Sequence, residues 1–392
     1  MIKVKFIYRN YRPIHSIFRS IMDTPPDNVS YSVSQVRKRP NILFKMYRQF
    51  GSNRLMRYVI KDYQKYLFSQ DSDNEVDLLH VVDMVIDKKK RNYVPYIADV
   101  GYVGALANHT GITDGVRKEI VEYLLNNNCK AIIARSQASA QSILAITSDD
   151  TKKSIEEKIR IVYPAYAPLM QSKDVWSAKK GILKSKRLKL LFIGNYVHGK
   201  GLGELLDAYV YLRKRHENIS LTVVANDYED VIRRYSNEEL RGVKCYKAIF
   251  SIEQLINKFY LKSHLFVMPS HHEVFGMVFL EALSTATPVI AINQYSTPEI
   301  VKDGYNGYLI SSNNVPWSKF RPSRKDFDPR NFIKSEEIVV EQLVSRIEAI
   351  SGNRELLIDL SKKALDSIHS NPQFTVKNRN KILKEIYDEA LI

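Results

Sequence analysis

The 392-residue chain has little cysteine: only Cys129 and Cys245 occur, far apart. Two distant thiols form neither a disulfide framework nor a metal-spaced cluster, which excludes a disulfide scaffold and points to a reducing compartment. No apolar run approaches the roughly 18 residues needed to span a bilayer. The N-terminus, MIKVKFIYRNY, alternates like a first strand and lacks the apolar centre and cleavage site of a signal peptide, so a cytoplasmic location is expected. Internal repeats, long low-complexity tracts and recognised nucleic-acid motifs are missing too. Acidic residues are in short supply: 43 Asp and Glu face 59 Lys and Arg, for a net charge of +16.

A hydrophobic content of 44% with 26% charged residues describes a soluble globular protein, and the length exceeds what one core normally supports. Two domains are expected. The charge is uneven, because the first 70 residues hold 14 Lys and Arg against 3 Asp and Glu. Arg37, Lys38, Arg39, Lys45, Arg48, Arg54 and Arg57 are interleaved with Tyr47, Phe50, Leu55 and Tyr58, and segment 41–68 reads as basic amphipathic helices. That pattern suits a peripheral surface resting on anionic lipid at the inner membrane face; a solvated basic surface has the same composition. Nucleic acid would leave the same footprint, but no motif accompanies it. The KKKR run at 88–91 reads as a solvated loop.

Apolar periodicity predicts strands at 2–8, 29–34, 76–82, 94–99, 131–134 and 159–163 in an irregular first half. Segment 164–187 mixes Pro, Ser and Lys and reads as the domain linker. A regular alternation follows: strand 188–193, helix 202–215, strand 219–225, helix 228–236, strand 243–246, helix 252–261, strand 264–268, helix 275–286, strand 288–292. Such alternation gives a parallel sheet covered by helices on both faces. Residues 312–336 read as a surface loop and 336–392 as helical.

The chemistry concentrates in HHEVFGMVFLEALSTATPVI, residues 271–290. LFVMPS (265–270) reads as a buried parallel strand and Pro288 ends the helix that follows, so this loop lies beyond a strand's carboxyl end, where open α/β sheets bind ligands. The helix start offers backbone N–H groups at Gly276, Met277 and Val278 and the positive end of the dipole, which suits a diphosphate. Glu273 precedes the helix and Glu281 lies ~7.5 Å along it, so the two carboxylates could hold hydroxyls on opposite sides of the phosphates. Ordinary solvated helix glutamates would have the same spacing. Upstream, Leu188–Ile193 reads as a strand, 194–203 as a glycine-rich loop containing Gly194 and Gly201, and Lys200 is placed to meet phosphate oxygens.

The ordered series Ser270, Glu273, Phe275, Gly276, Glu281 and Ala282, then Pro288-Val289-Ile290, Glu299-Ile300-Val301 and Asn306-Gly307-Tyr308-Leu309, resembles the GT-B glycosyltransferases, specifically retaining family 4 (glycosyl transferases group 1). The resemblance implies two Rossmann-like α/β domains facing a cleft: residues 1–168 for the acceptor, 186–370 for the nucleotide sugar, and a last helix, 371–392, packing back on the first domain. It implies that Lys200 binds the donor diphosphate with Gly194, Asn195, Gly201, Phe275, Gly276, Met277 and Val278. Glu273 would contact the transferred sugar, Glu281 the ribose, and the stretch around Ile249 the base. Asn195 stands where the family usually has a basic residue, Ala286 where it has Gly, and Tyr295-Ser296 where it has a Gly pair.

In the first half, VPYIADVGYVGAL (94–106) occupies the region where many members carry a His. Asp99 is the candidate there for sugar or acceptor contact, with a structural role as the alternative. His15 and Ser16 follow the first strand, and His80 reads as a satisfied strand-end residue. His271 and His272 beside Glu273 raise the question of a metal, as does the Asp71-Ser72-Asp73 triplet, which reads as a solvated loop; no metal or other cofactor is expected. The partners implied are a nucleotide-diphosphate sugar and a glycan or lipid-linked acceptor. Three functions follow from these features: a glycosyltransferase; another GT-B enzyme such as a phosphorylase or epimerase; and a noncatalytic relative binding nucleotide or membrane.

Overall fold

The computed structural model describes residues 1–8, 16–33, 76–107, 112–216, 218–313 and 335–392. They form two α/β units, the first built on Met1–Ala165 and Val376–Ile392, the second on described residues within Tyr166–Pro316 and Asp328–Thr375. Each contains a six-stranded sheet. Segment 41–68, His15 and the Asp71–Asp73 triplet lie outside the described residues, as does the side chain of Ser16.

In the first unit the strands are β1 (Ile2–Ile7), β2 (Val29–Val33), β3 (Leu78–Val82), β4 (Tyr96–Val100), β5 (Cys129–Ala134) and β6 (Ile159–Ile161), in the order β2-β1-β3-β4-β5-β6. All neighbours are parallel. Every residue of β3 and β4 is buried, as expected for strands covered on both faces. One face carries α3 (Asp114–Leu125), α4 (Gln137–Leu144) and α5 (Asp149–Lys158), with Ile120, Leu124, Ile143 and Ile155 in the core. Helix α1 (Ser16–Asp23) and the last helix, α12 (Val376–Ala390), cover the other, through Phe18, Ile21, Leu383, Ile386 and Tyr387. The last helix thus packs on the first unit, as expected. Arg379 pins it: one Nη donates to Ser20 Oγ at 2.8 Å and the other to the Thr24 carbonyl at 2.8 Å.

The KKKR run departs from expectation. It opens a short helix, α2 (Lys88–Tyr93), instead of a solvated loop. Arg91 is buried, donates from Nε to the Ile86 carbonyl at 3.1 Å and stands 5.5 Å from the centre of the Tyr123 ring. A charged run was a poor guide because one member found an acceptor and an aromatic face inside the unit.

The second unit's strands are β7 (Leu188–Ile193), β8 (Ile219–Val224), β9 (Val243–Tyr246), β10 (Leu265–Val267), β11 (Val289–Ile292) and β12 (Gly307–Ile310), all parallel, in the order β12-β11-β10-β7-β8-β9. The expected strands are all found. Helix α6 (Ser172–Leu183) occupies half of segment 164–187, and Lys179 on it is fully buried. Helix α7 (Leu202–Arg215) follows β7. The helix expected over 228–236 is one turn, Glu229–Ile232. The one expected over 252–261 is α8 (Ile252–Lys258) followed by a 3₁₀ turn at Tyr260–Lys262. Ser251 and Gln254 form a capping box that fixes the start of α8. Then come α9 (Met277–Ser284), α10 (Glu337–Gly352) and α11 (Arg354–His369). Among the described residues, no helix is long and apolar enough to cross a membrane.

Candidate functional site

Strand order in the second unit fixes where a ligand belongs. The chain starts at β7, moves outward through β8 and β9, then returns to β10 on the other side of β7. The switch point therefore lies between β7 and β10, whose carboxyl ends open into loops 194–201 and 268–276. Both loops end on a glycine in the left-handed region, Gly201 (φ 76°) and Gly276 (φ 96°), each immediately before a helix. A Cβ on Gly201 would lie 2.2 Å from the Pro269 carbonyl oxygen, so glycine there lets the two loops touch.

The two loops are fastened together. His271 N–H donates to the Gly199 carbonyl at 2.9 Å, and Lys200 Nζ donates to the His272 carbonyl at 2.9 Å. Lys200 also bonds Glu273 Oε2 at 2.6 Å. The two side chains are 20% and 13% exposed, so the pair is mostly shielded yet reachable. Beneath it, His271 Nε2 and Glu204 Oε1 meet at 2.7 Å, both buried. Glu204 lies in the first turn of α7, so this contact ties that helix to the β10 loop.

Helix α9 has no side-chain cap at its amino end, which leaves first-turn N–H groups for another acceptor. Phe275 is a buried anchor, packed against Phe374 at 6.1 Å between ring centres, and its carbonyl accepts from Ser296 Oγ at 3.0 Å. One turn into the helix, Glu281 Oε2 accepts from Tyr260 Oη at 2.8 Å. Burial raises the Glu281 pKa, and the Tyr260 hydrogen bond works against that.

Asn195 turns inward to the neighbouring loops. Its Oδ1 accepts from Asn226 N at 2.9 Å, Asn226 Oδ1 accepts from Ala248 N at 3.0 Å, and Lys247 Nζ donates to the Asn226 carbonyl at 2.8 Å. The loops after β7, β8 and β9 are thereby stitched into one rim. Ile249, on that rim, is 81% exposed.

Asp99 belongs to the first unit, on β4, and is closed in by partners. Arg135 Nε donates to its Oδ1 at 2.8 Å and His80 Nε2 lies 3.0 Å from its Oδ2. Arg135 holds its carboxyl below the usual carboxylate range against the opposing effect of burial. His80 continues to Tyr387 Oη at 2.8 Å on α12, so it is a satisfied strand residue, as expected. It is Asp83 that caps the turn after β4, accepting from Gly101 N at 2.8 Å. Among the described residues, no group of three or more His, Cys, Asp or Glu side chains could hold a metal ion.

The candidate residues of the second unit thus lie on the loops after β7, β9 and β10 and on helix α9, and Asp99 belongs to the first unit. Glu204, Asn226 and Tyr260 were not anticipated. The acidic first turn of α7 hinted at Glu204; nothing local marked the other two.

Residues 174–316 match the family model described as glycosyl transferases group 1. An uncharacterized 41.2 kDa protein in the cps region of Klebsiella pneumoniae is 25% identical over 198 residues, 47% of this chain and 53% of that protein. The chain therefore spans about half that relative's length. An uncharacterized glycosyltransferase of Methanocaldococcus jannaschii is 24% identical over 282 residues, 65% of this chain and 78% of that one. Among solved structures, Anabaena HepE in complex with UDP superposes with a TM-score of 0.64 at 14% identity, covering 99% of this chain and all of HepE. The fold is GT-B. Both described units take part in that likeness, so the GT-B fold extends to the first unit, which lies outside the residues matched by the family model, as well as to the second.

Proposed function

We propose that the chain is a glycosyltransferase of the retaining kind, moving a sugar from a nucleotide-diphosphate donor to an acceptor hydroxyl on a glycan or lipid-linked molecule at the cytoplasmic membrane face. The observation that carries this reading is the grouping of Lys200, Glu273 and the uncapped start of α9 at the switch point between β7 and β10. The matched family model and the UDP bound to HepE support it.

In this reading Lys200 and the first N–H groups of α9 face the diphosphate. As the glycosidic bond breaks, negative charge grows on the leaving phosphate, and fixed donors already in place stabilise it without reorganisation. Glu273 leaves Lys200 for the hydroxyls of the transferred sugar, and Glu281 takes the ribose. The departing phosphate itself accepts the acceptor's proton, so no protein nucleophile is needed. The acceptor falls to the first unit, and the basic excess of its first 70 residues favours anionic lipid nearby.

The test is a panel of nucleotide sugars scored for nucleoside-diphosphate release and product configuration by NMR. Release with a retained anomeric centre is expected, unaffected by chelator. Inversion, a glycosyl ester trapped on Glu273, or activity lost to chelator and restored by manganese would each contradict part of the reading. Donor binding without turnover would favour the noncatalytic alternative.

A further inference from the structure

Glu281 has two carboxylate oxygens, and Tyr260 occupies one, donating to Oε2 at 2.8 Å. The neighbouring hydroxyls of Ser284 and Thr285 use only the Glu281 main-chain carbonyl, at 2.9 and 3.2 Å. The other carboxylate oxygen, Oε1, has no hydrogen-bond partner among the described residues. Tyr260 is fixed from behind. Its carbonyl accepts from the fully buried Lys179 Nζ at 3.0 Å and from Thr287 Oγ1 at 3.0 Å, and its ring lies against Phe266 with centres 5.6 Å apart. Tyr260 itself is fully buried, on the 3₁₀ turn before β10, so its hydroxyl direction is set by the sheet and not by solvent.

A glutamate on a helix has three rotatable bonds, and a carboxylate left alone in a shielded place loses its charge or turns toward water. One fixed phenol opposes both while leaving the second oxygen to accept. We propose that Tyr260 is a positioning residue: it holds one oxygen of Glu281 so that the other accepts from a ribose hydroxyl, which makes the site select ribonucleotides over their deoxy counterparts. This rests on the donor-site reading above. It adds a residue 21 positions from Glu281 in sequence and outside the motif.

The experiment is a titration of the full chain with UDP, 2′-deoxy-UDP and 3′-deoxy-UDP, with the GDP series in parallel, for the parent and Tyr260→Phe. In the parent, removing the contacted hydroxyl should weaken binding by about tenfold or more. In Tyr260→Phe the full nucleotide should bind about tenfold more weakly, and removing the same hydroxyl should then cost only about twofold. A role in packing alone would lower affinity for all nucleotides equally and leave the discrimination intact, which would overturn the proposal. Thr287→Val, which removes one of the two donors to the Tyr260 carbonyl without touching the phenol or Glu281, serves if Tyr260→Phe does not fold; it should reduce discrimination in the same direction, and unchanged discrimination would again overturn the proposal. A parent that binds no nucleoside diphosphate would overturn the donor-site reading and this proposal together, whereas binding with equal discrimination in parent and variant would overturn the positioning role alone.

Discussion

Lys200 and Glu273 are bonded to each other at 2.6 Å, so a diphosphate arriving at Lys200 must compete with a carboxylate. Glu273→Gln removes that competitor. Nucleoside diphosphate without sugar should bind about fivefold tighter to the variant, the scale of a partly exposed ion pair, while transfer falls by about a hundredfold through loss of the sugar contact. Calorimetry paired with turnover checks both signs, and weaker diphosphate binding would contradict the competition. Two departures from the family pattern are also explained at this scale. Ala286 (φ 54°) and Tyr295 (φ 52°) keep the left-handed backbone for which glycine is the usual residue. The conformation is demanded by the fold and the side chain bears the cost. Ala286→Gly should therefore gain ~1–2 kcal/mol of relieved backbone strain against ~0.8 kcal/mol of lost methyl burial, and thermal melting should show a higher midpoint.

Among the elements, β10 is the one that carries the site loop, and its entry is held by His264. That imidazole accepts from Lys189 N through Nδ1 at 3.0 Å and faces the Ile182 carbonyl through Nε2 at 2.7 Å, which fixes the neutral tautomer with its proton on Nε2. Burial, with Lys179 nearby, lowers its pKa from 6.5 to about 4. A depressed histidine pKa means the unfolded chain binds the proton first, so the contribution to stability is complete above pH 6.5 and is lost as pH falls toward 4. Denaturant midpoints for the second unit should be flat above that range and decline below it. The decline should be shallower in a His264→Gln variant that starts from a lower midpoint; equal slopes would assign the effect to other groups. Elements were also what the sequence displayed best. β7 and β9 were read to their ends because period and flanking turns are local signals, whereas segment 164–187 concealed α6 because its helical face packs on residues far along the chain. Glu204 with His271 and Tyr260 with Glu281 were invisible for the same reason: their partners lie 67 and 21 positions away, and only the sheet order brings them together.

At the scale of the whole chain, the last helix belongs energetically to the first unit. Leu383, Ile386 and Tyr387 are buried there, at roughly 1.5–3 kcal/mol each, and Arg379 adds bonds to Ser20 and Thr24. That sum is comparable to the net stability of a typical domain, so deleting residues 376–392 should unfold the first unit while the second still melts cooperatively. Two intact transitions after the deletion would show that the helix is dispensable. The two-unit α/β plan was legible from alternation and length, and one loop pointed to the candidate site. The basic N-terminal segment, by contrast, gave a composition and no geometry. The most direct test of the account is nucleotide-sugar binding, followed by ligand-detected NMR, to the parent and to Lys200→Ala and Glu281→Ala. The account predicts that both variants lose the preferred donor by at least about tenfold while remaining folded. Parent-like affinity in either variant would contradict it.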